Sequence, residues 1–394
     1  MKKRSLRCLC RGLLVAALVP VAACFGGEPF VLQDGDRVVF LGNGVIEQEH
    51  TCGELETRLT RRWPQANVIF RNMGWSGDNV QGQARTNGYE QPGGLVGVFK
   101  EFKVLKPTVI FVGYGLNESF AGPQGLPNFE LVYRRLLDQL APLGAKLVLL
   151  SPTWHEDLGR PFPDPTAHNQ DIEKYAAAIS RIAGERQVAY LDVFTPLRDA
   201  KAQRTTPLTT NGIQLNPQGY AVFAASIEHG LGLAAPPWEM QLGDGGVKAT
   251  GCTVKEQAAA AGGWKVVVID DVVRVPGEPL RFTWAGARGG DYEIVCDGQV
   301  AATVPAAKLA AGVVLEGSIL CPEGEKLRRA IVQKGERFYR RWRPFNDHDR
   351  HWSYIRGDYA LYDEEIAALE QTIAGLRTPR ERTIEVRPVK GNAR

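Results

Sequence analysis

Arg37-Val38-Val39-Phe40-Leu41-Gly42-Asn43-Gly44 reads as a short apolar run that stops in a turn. Val38 to Leu41 contain no alternating polar residue, so the strand they form is buried on both faces, as strands of parallel sheets are when helices cover them. Asn67-Val68-Ile69-Phe70-Arg71, Thr108-Val109-Ile110-Phe111-Val112, Lys146-Leu147-Val148-Leu149-Leu150 and Val188-Ala189-Tyr190-Leu191-Asp192 have the same character. Between them, helical spacing aligns Leu55 with Leu59, then Val132, Leu136 and Leu140, then Ile172, Tyr175, Ile179 and Ile182. Strands alternating with amphipathic helices predict an α/β domain with a parallel sheet over residues 30–235. Right-handed crossovers then bring the loops at Gly42–Gly44, Gly74–Asp78 and Gly113–Glu118 to one sheet edge, where ligands bind in open α/β sheets.

Beyond the stiff break Ala234-Ala235-Pro236-Pro237 the character changes. Short strand-like runs at Trp264–Val268, Arg281–Trp284, Tyr292–Cys296 and Gln299–Val304, with Asp297-Gly298 as a hairpin signal, predict a small β-sandwich-like module over 240–316. Residues 320–380 return to helical spacing at Glu325–Tyr339 and Asp363–Leu376 and predict a helical C-terminal arm. Trp342, Phe345 and Trp352 in that arm are expected to staple it to the α/β domain; the other reading makes it one wall of the cleft.

The chain has 394 residues and 44% apolar composition, enough for more than one core. Its formal charge of +3, from 47 basic and 44 acidic residues, includes Lys2, Lys3, Arg4, Arg7 and Arg11. Without those five basic residues the balance is 42 against 44, or −2, which argues against a general nucleic-acid binder. Residues 1–23, basic and then apolar from Gly12 to Ala23, read as a signal peptide, so the expected location is exported, periplasmic or at the cell envelope. Val21-Ala22-Ala23-Cys24 resembles a lipobox, which would lipidate Cys24 and attach the protein to a membrane; ordinary cleavage nearby is the alternative. Cys52, Cys252, Cys296 and Cys321 remain; an oxidising compartment would allow one or two disulfides, chiefly among the last three, with the pairing open. No Cys/His cluster suggests a metal, and Gly42-Asn43-Gly44 lacks the later Gly and Lys of a phosphate loop, so no cofactor is expected.

Four loop blocks carry a family resemblance: Gly42-Asn43-Gly44, then Asn72-Met73-Gly74-Trp75-Ser76-Gly77-Asp78, then Gly113-Tyr114-Gly115-Leu116-Asn117-Glu118, then Asn211-Gly212-Ile213-Gln214-Leu215-Asn216-Pro217. In order and spacing they resemble the SGNH/GDSL hydrolase family, which implies a flavodoxin-like three-layer αβα domain. Phe338-Tyr339-Arg340-Arg341-Trp342-Arg343-Pro344 resembles the tail of an exported bacterial branch of that family that carries a β insert and a helical end. By this resemblance the Gly74 N–H and the Asn117 side chain are oxyanion donors.

The departures from the pattern fall on the catalytic positions. Gly44 stands where the family has its serine nucleophile, Gln214 where it has its histidine base, and Asn211 where it has the aspartate. A glycine has no nucleophile, and a carboxamide takes no proton near neutral pH. Asn43 replaces the family's Asp as well. His155, beside Glu156 and Asp157, follows the fourth strand and is the leading candidate for a base that activates water directly, against the reading of a solvated loop histidine. Ser76, with Asp78 in the same glycine block, is a second candidate to replace the lost triad, against the reading of a turn residue that satisfies backbone groups. His168 near the cleft and His50, within one turn of Glu47, are further candidates, against Asp164 as a turn cap with His168 as a helix start and against a first-turn charge cluster at His50. Trp75, Tyr114 and Trp154 are candidate stacking surfaces for a ligand.

The resemblance implies hydrolysis of carboxylic esters, on acylated carbohydrate or a similar glycan; the lost triad leaves activity open. The second reading is a non-catalytic pseudoenzyme that binds a glycan or acyl group. A third is a scaffold whose module and arm hold a protein partner.

Overall fold

A computed structural model describes residues 29–85, 94–260, 262–343 and 358–389. The signal segment 1–23, Cys24 and the arm residues Phe345 and Trp352 lie outside the described residues. Strands β1 (Arg37–Gly42), β2 (Ile69–Gly74), β3 (Val109–Gly113), β4 (Lys146–Leu150) and β5 (Ala189–Leu191) form one parallel sheet in the order β2-β1-β3-β4-β5. That order is flavodoxin-like, and its winding reverses between β1 and β3. A crevice therefore opens beyond Gly42 and Gly113, at the carboxyl ends of those two strands.

Helices α1 (Gly44–Cys52), α2 (Glu54–Thr60), α3 (Val96–Leu105), α4 (Leu116–Ser119), α5 (Gly122–Leu140), α6 (Thr166–Arg186), α7 (Phe194–Ala202) and α8 (Pro217–Gly230) cover the sheet. Successive strand residues point to opposite faces. Val38, Phe40, Phe111 and Val148 thus pack with Leu55, Leu59, Phe223 and Ile227 on one side. Val39, Leu41, Ile110 and Leu149 pack with Tyr133, Leu136, Ile179 and Ile182 on the other. This is the three-layer αβα arrangement.

Two further sheets share a core built on Trp238, Phe282, Ile294 and Ile384. One runs β13-β10-β6-β7 and the other β12-β11-β14-β9-β8. Their strands are β6 (Trp238–Gly243), β7 (Gly246–Thr250), β8 (Cys252–Ala260), β9 (Gly263–Asp270), β10 (Leu280–Trp284), β11 (Asp291–Cys296), β12 (Gln299–Pro305), β13 (Val313–Leu315) and β14 (Glu381–Pro388). The C-terminal β14 lies between β9 and β11, so the β module is closed by a strand that follows the arm. The short α9 (Ala306–Ala311) connects β12 to β13, and α10 (Pro322–Trp342) and α11 (Asp358–Leu376) make the arm.

None of the disulfides that the sequence allowed is formed: Cys52, Cys252, Cys296 and Cys321 are all free. Cys252, Cys296 and Cys321 pack as small apolar side chains in the module core. Burial pushes the thiols of Cys252 and Cys321 up to about 12, far from the reactive thiolate. The arm is held to the α/β domain by Phe338 and Ile366, which enter its core, and by the buried Lys334–Glu56 ion pair. Trp342 packs partly buried at the same margin.

Candidate functional site

Site construction begins with two glycines at strand ends. A Cβ on Gly42 would meet the Gly113 carbonyl oxygen at 2.5 Å, and one on Gly74 would come within 2.2 Å of the Glu47 backbone nitrogen. The ends of β1, β2 and β3 therefore close up on the first turn of α1 only because those positions lack side chains. Asn43 is extended and caps α1, its Oδ1 accepting from Val45 N–H at 3.1 Å. The Asp-to-Asn departure at this position thus falls on a helix cap.

Beyond these strand ends lies a cavity of about 190 Å³, lined by Gly44, Gln48, Ser76, Leu116, Asn117 and Gln214 among others. Gly44, Asn117 and Gln214, distant in sequence, are brought together here. Asn211 does not line it. Its Oδ1 accepts from Ile213 N–H and Gln214 N–H at 3.1 and 2.7 Å, shaping the turn that presents Gln214.

The two oxyanion donors read from the resemblance fare differently. Gly74 N–H already donates to Asn72 Oδ1 at 2.9 Å, so its single hydrogen is spent. Asn117 Nδ2 donates to the Asp78 carbonyl at 2.5 Å, but a carboxamide carries a second N–H, and the residue lines the cavity. Asp78 is fully buried and receives Arg85 Nε at 2.5 Å and Tyr114 O–H at 3.1 Å. Glu118 ties the same loops, accepting from Val80 N–H at 2.7 Å and Gly115 N–H at 2.9 Å.

His155 is not brought to the cavity. Ser119 Oγ donates to the Leu116 carbonyl at 2.7 Å, so His168 Nε2–H donates to Ser119 Oγ at 2.8 Å. His168 Nδ1 is then an acceptor, taking the His155 Nδ1–H at 2.8 Å. The remaining His155 nitrogen, Nε2, stands against Gly212, where a Cβ would be only 2.9 Å away. Burial lowers the pKa of both rings, His168 to about 4, consistent with two neutral imidazoles. Glu156 does not face the ring; its carboxylate accepts from Leu208 N–H, Thr209 N–H and Thr209 Oγ1. With its backbone N–H on the Gly212 carbonyl at 2.7 Å, Glu156 fixes the 208–212 segment from behind.

The stacking candidates are also redistributed. Tyr114 is fully buried, its hydroxyl held by Asp78 and Arg85, and offers no face to a ligand. Trp154 packs against the α/β core. Trp75 is covered by the Arg343 guanidinium at 3.8 Å from its centroid and by the edge of Trp342. His50 turns its Nδ1 to the Glu47 backbone carbonyl at 2.5 Å and stacks on Tyr339, away from the Glu47 carboxylate. Asp164 accepts from Thr166 N–H at 2.8 Å, as a turn cap does.

What sequence reading passed over is the pairing of Ser76 with Glu47. The buried Glu47 carboxylate accepts from Ser76 N–H at 3.0 Å and from the Ser76 hydroxyl through the same Oε2, while Arg343 pairs with Oε1. The only signal was a serine in the glycine block and a carboxylate three residues after Gly44. No cluster of three His, Cys, Asp or Glu side chains suited to a metal occurs among the described residues.

Residues 37–222 match the model of the GDSL-like lipase/acylhydrolase family. Among solved structures, BT4096, a gut microbial diltiazem-metabolizing enzyme, superposes with a TM-score of 0.68 at 15% identity, over 91% of this chain and 99% of that one. A catalytic mutant of Axe2, an acetylxylan esterase from Geobacillus stearothermophilus, has a TM-score of 0.41 at 16% identity, over 52% of this chain and 98% of that one. LAE5, an alpha/beta hydrolase enzyme from the metagenome of Lake Arreo, Spain, has 0.40 at 19% identity, over 51% and 97%. No match is found among curated proteins.

Proposed function

Because residues 37–222 form an SGNH/GDSL hydrolase domain, we propose that the cavity at the ends of β1 and β3 hydrolyses small acyl esters of a polar, carbohydrate-like alcohol. The observation that carries this reading is that one cavity of about 190 Å³ is lined by Gly44, Asn117 and Gln214 together with the Ser76 hydroxyl. Sites for drug-sized ligands span roughly 300–1,000 Å³, so a smaller cavity suits a short acyl group with its alcohol at the rim. Gln48, Ser76, Asn117 and Gln214 supply amide and hydroxyl groups there, which suit sugar hydroxyls better than an apolar alcohol. Export with loss of residues 1–23, and attachment through a lipidated Cys24, belong to the same proposal and rest on the N-terminal sequence pattern.

The test is acid release from acetyl, propionyl and butyryl esters, including acetylated oligosaccharides, by the signal-free protein. Ile213→Trp, which narrows the cavity wall, should lower kcat/KM by roughly tenfold or more, most for the longest acyl chain. No release above buffer from any of these substrates would overturn the reading. The binding reading has its own support: Gly74 N–H is engaged by Asn72 and Gln214 is no base. It predicts saturable binding of acetylated sugars without turnover, read by NMR titration.

A further inference from the structure

We propose that Ser76 supplies the nucleophile that Gly44 lacks, with Glu47 as its base; this deepens the ester-hydrolase reading and rests on it. A Cβ built on Gly44 would lie 3.4 Å from Ser76 Oγ, so the hydroxyl from the neighbouring loop reaches the space a side chain at position 44 would enter. Ser76 is exposed and lines the cavity, and its hydroxyl donates into the buried Glu47 carboxylate. One side of the oxygen is thus open to a substrate and the other is in contact with a proton acceptor, the pairing a nucleophile needs.

Glu47 reaches Ser76 because Gly74 lets α1 lie against the end of β2. Arg343, just past the end of α10, lies against the other carboxylate oxygen; burial lowers its guanidinium to about 10, so it remains cationic at neutral pH. An ordinary turn serine would satisfy a backbone group of its own loop. Ser76 instead binds a buried carboxylate on another element and faces a cavity.

As Ser76 Oγ bonds to the ester carbonyl carbon, its proton passes to Glu47, and the oxyanion faces the second N–H of Asn117. Collapse breaks the carbon–oxygen bond to the alcohol, which leaves with the proton from Glu47. Water then attacks the acyl carbon and gives a proton to Glu47. The bond to Ser76 breaks, Ser76 Oγ takes that proton back, and the free acid departs. A carboxylate is a weaker base than imidazole near pH 7, so turnover slower than that of a histidine-based enzyme is expected.

The experiment is labelling of the signal-free protein with a fluorophosphonate, followed by intact mass and peptide mapping, beside ester turnover. The expected result is a single adduct at Ser76. It should be absent in Ser76→Ala and form about tenfold or more slowly in Glu47→Gln, with turnover by Ser76→Ala down about a thousandfold. Ser76→Cys guards against misfolding: its thiol should alkylate with iodoacetamide faster than Cys52, whose thiol burial raises to about 11. No adduct at Ser76, or a Ser76→Cys thiol no faster than Cys52, overturns the inference. Wild-type turnover that survives Ser76→Ala within about threefold overturns it too and leaves ester hydrolysis standing. An adduct at Ser76 without turnover of any ester supports the nucleophile and sinks the ester reading instead.

Discussion

His168 shows how a single residue can look catalytic and work as a clamp. It is stacked on Phe120 and bonded to Ser119 through one nitrogen and to His155 through the other. The charges that face the pair are Asp157, beside His155, and Asp171, beside His168; both favour protonation and neither outweighs burial. A histidine whose folded pKa lies near 4 against about 6.5 unfolded takes up a proton more readily when unfolded, so stability falls as pH drops from about 6.5 towards 4. Its contribution is fully present above pH 6.5. The melting temperature of His168→Gln should therefore decline less between pH 6.5 and 4.5 than that of the wild type; parallel curves would refute the clamp. The sequence made His155 legible as a histidine near the sheet edge, but its direction depends on Ser119, Leu116 and Gly212, and no spacing encodes those contacts. Ser76 was legible as a serine in the glycine block, but its pairing with Glu47 was not, since a serine between Trp75 and Gly77 reads as turn chemistry until α1 is laid against it.

Among elements, the strands of the α/β sheet were legible because each is a run of apolar residues buried on both faces, and Lys146–Leu150 has the bounds expected of it. β14 was not. In Glu381–Pro388 the buried side chains are Arg382, Ile384 and Val386, so a charge occupies the first inward position and breaks the alternation. That arginine is satisfied only in the fold, by Asp270 at 2.9 Å and the Leu320 carbonyl at 2.6 Å. Its strand partners, β9 and β11, lie far upstream in the chain, where local pattern gives no hint of pairing. Because β14 is the middle strand of its five-stranded sheet, its removal should split the sheet rather than trim an edge. Burial of Ile384 and Val386 alone is worth about 1.5–3 kcal/mol each. A chain ending at residue 380 should lose hydrogen-exchange protection in β8, β9, β11 and β12 while β1, β3 and β4 keep theirs. Equal loss in both units would show that they fold as one.

Whether the units are coupled is decided at the scale of the whole molecule by a buried charge cluster between them. Arg61, fully buried on the far side of α2, pairs with Glu228 of α8 at 2.7 Å and with Glu278 of the β module at 2.6 Å, and donates to the Val273 carbonyl at 3.1 Å. Arg58 pairs with Glu228 at 3.0 Å, and Arg274 approaches Glu278 from within the module. Burial would push the Glu278 carboxyl up, yet Arg61, Arg58 and Arg274 hold it below its ordinary value. Sequence spacing shows where Leu55 and Leu59 point, but not that a second unit covers Arg58 and Arg61. Removing one partner of a buried pair strands the other, at a cost of roughly 3–5 kcal/mol. Glu278→Ala leaves Arg61 with Glu228 alone and deprives Arg58 and Arg274 of a counter-charge, so the loss should fall on the contact between units. In calorimetry the wild type should unfold in one transition and Glu278→Ala in two, with the β module melting first. The residues lining the candidate cavity belong to the α/β domain, so under the proposed function ester turnover by the variant below its first transition should stay within about twofold of wild type. A single transition shifted as a whole would mean that the joint is carried by the arm, through Lys334 and Phe338, and not by Glu278.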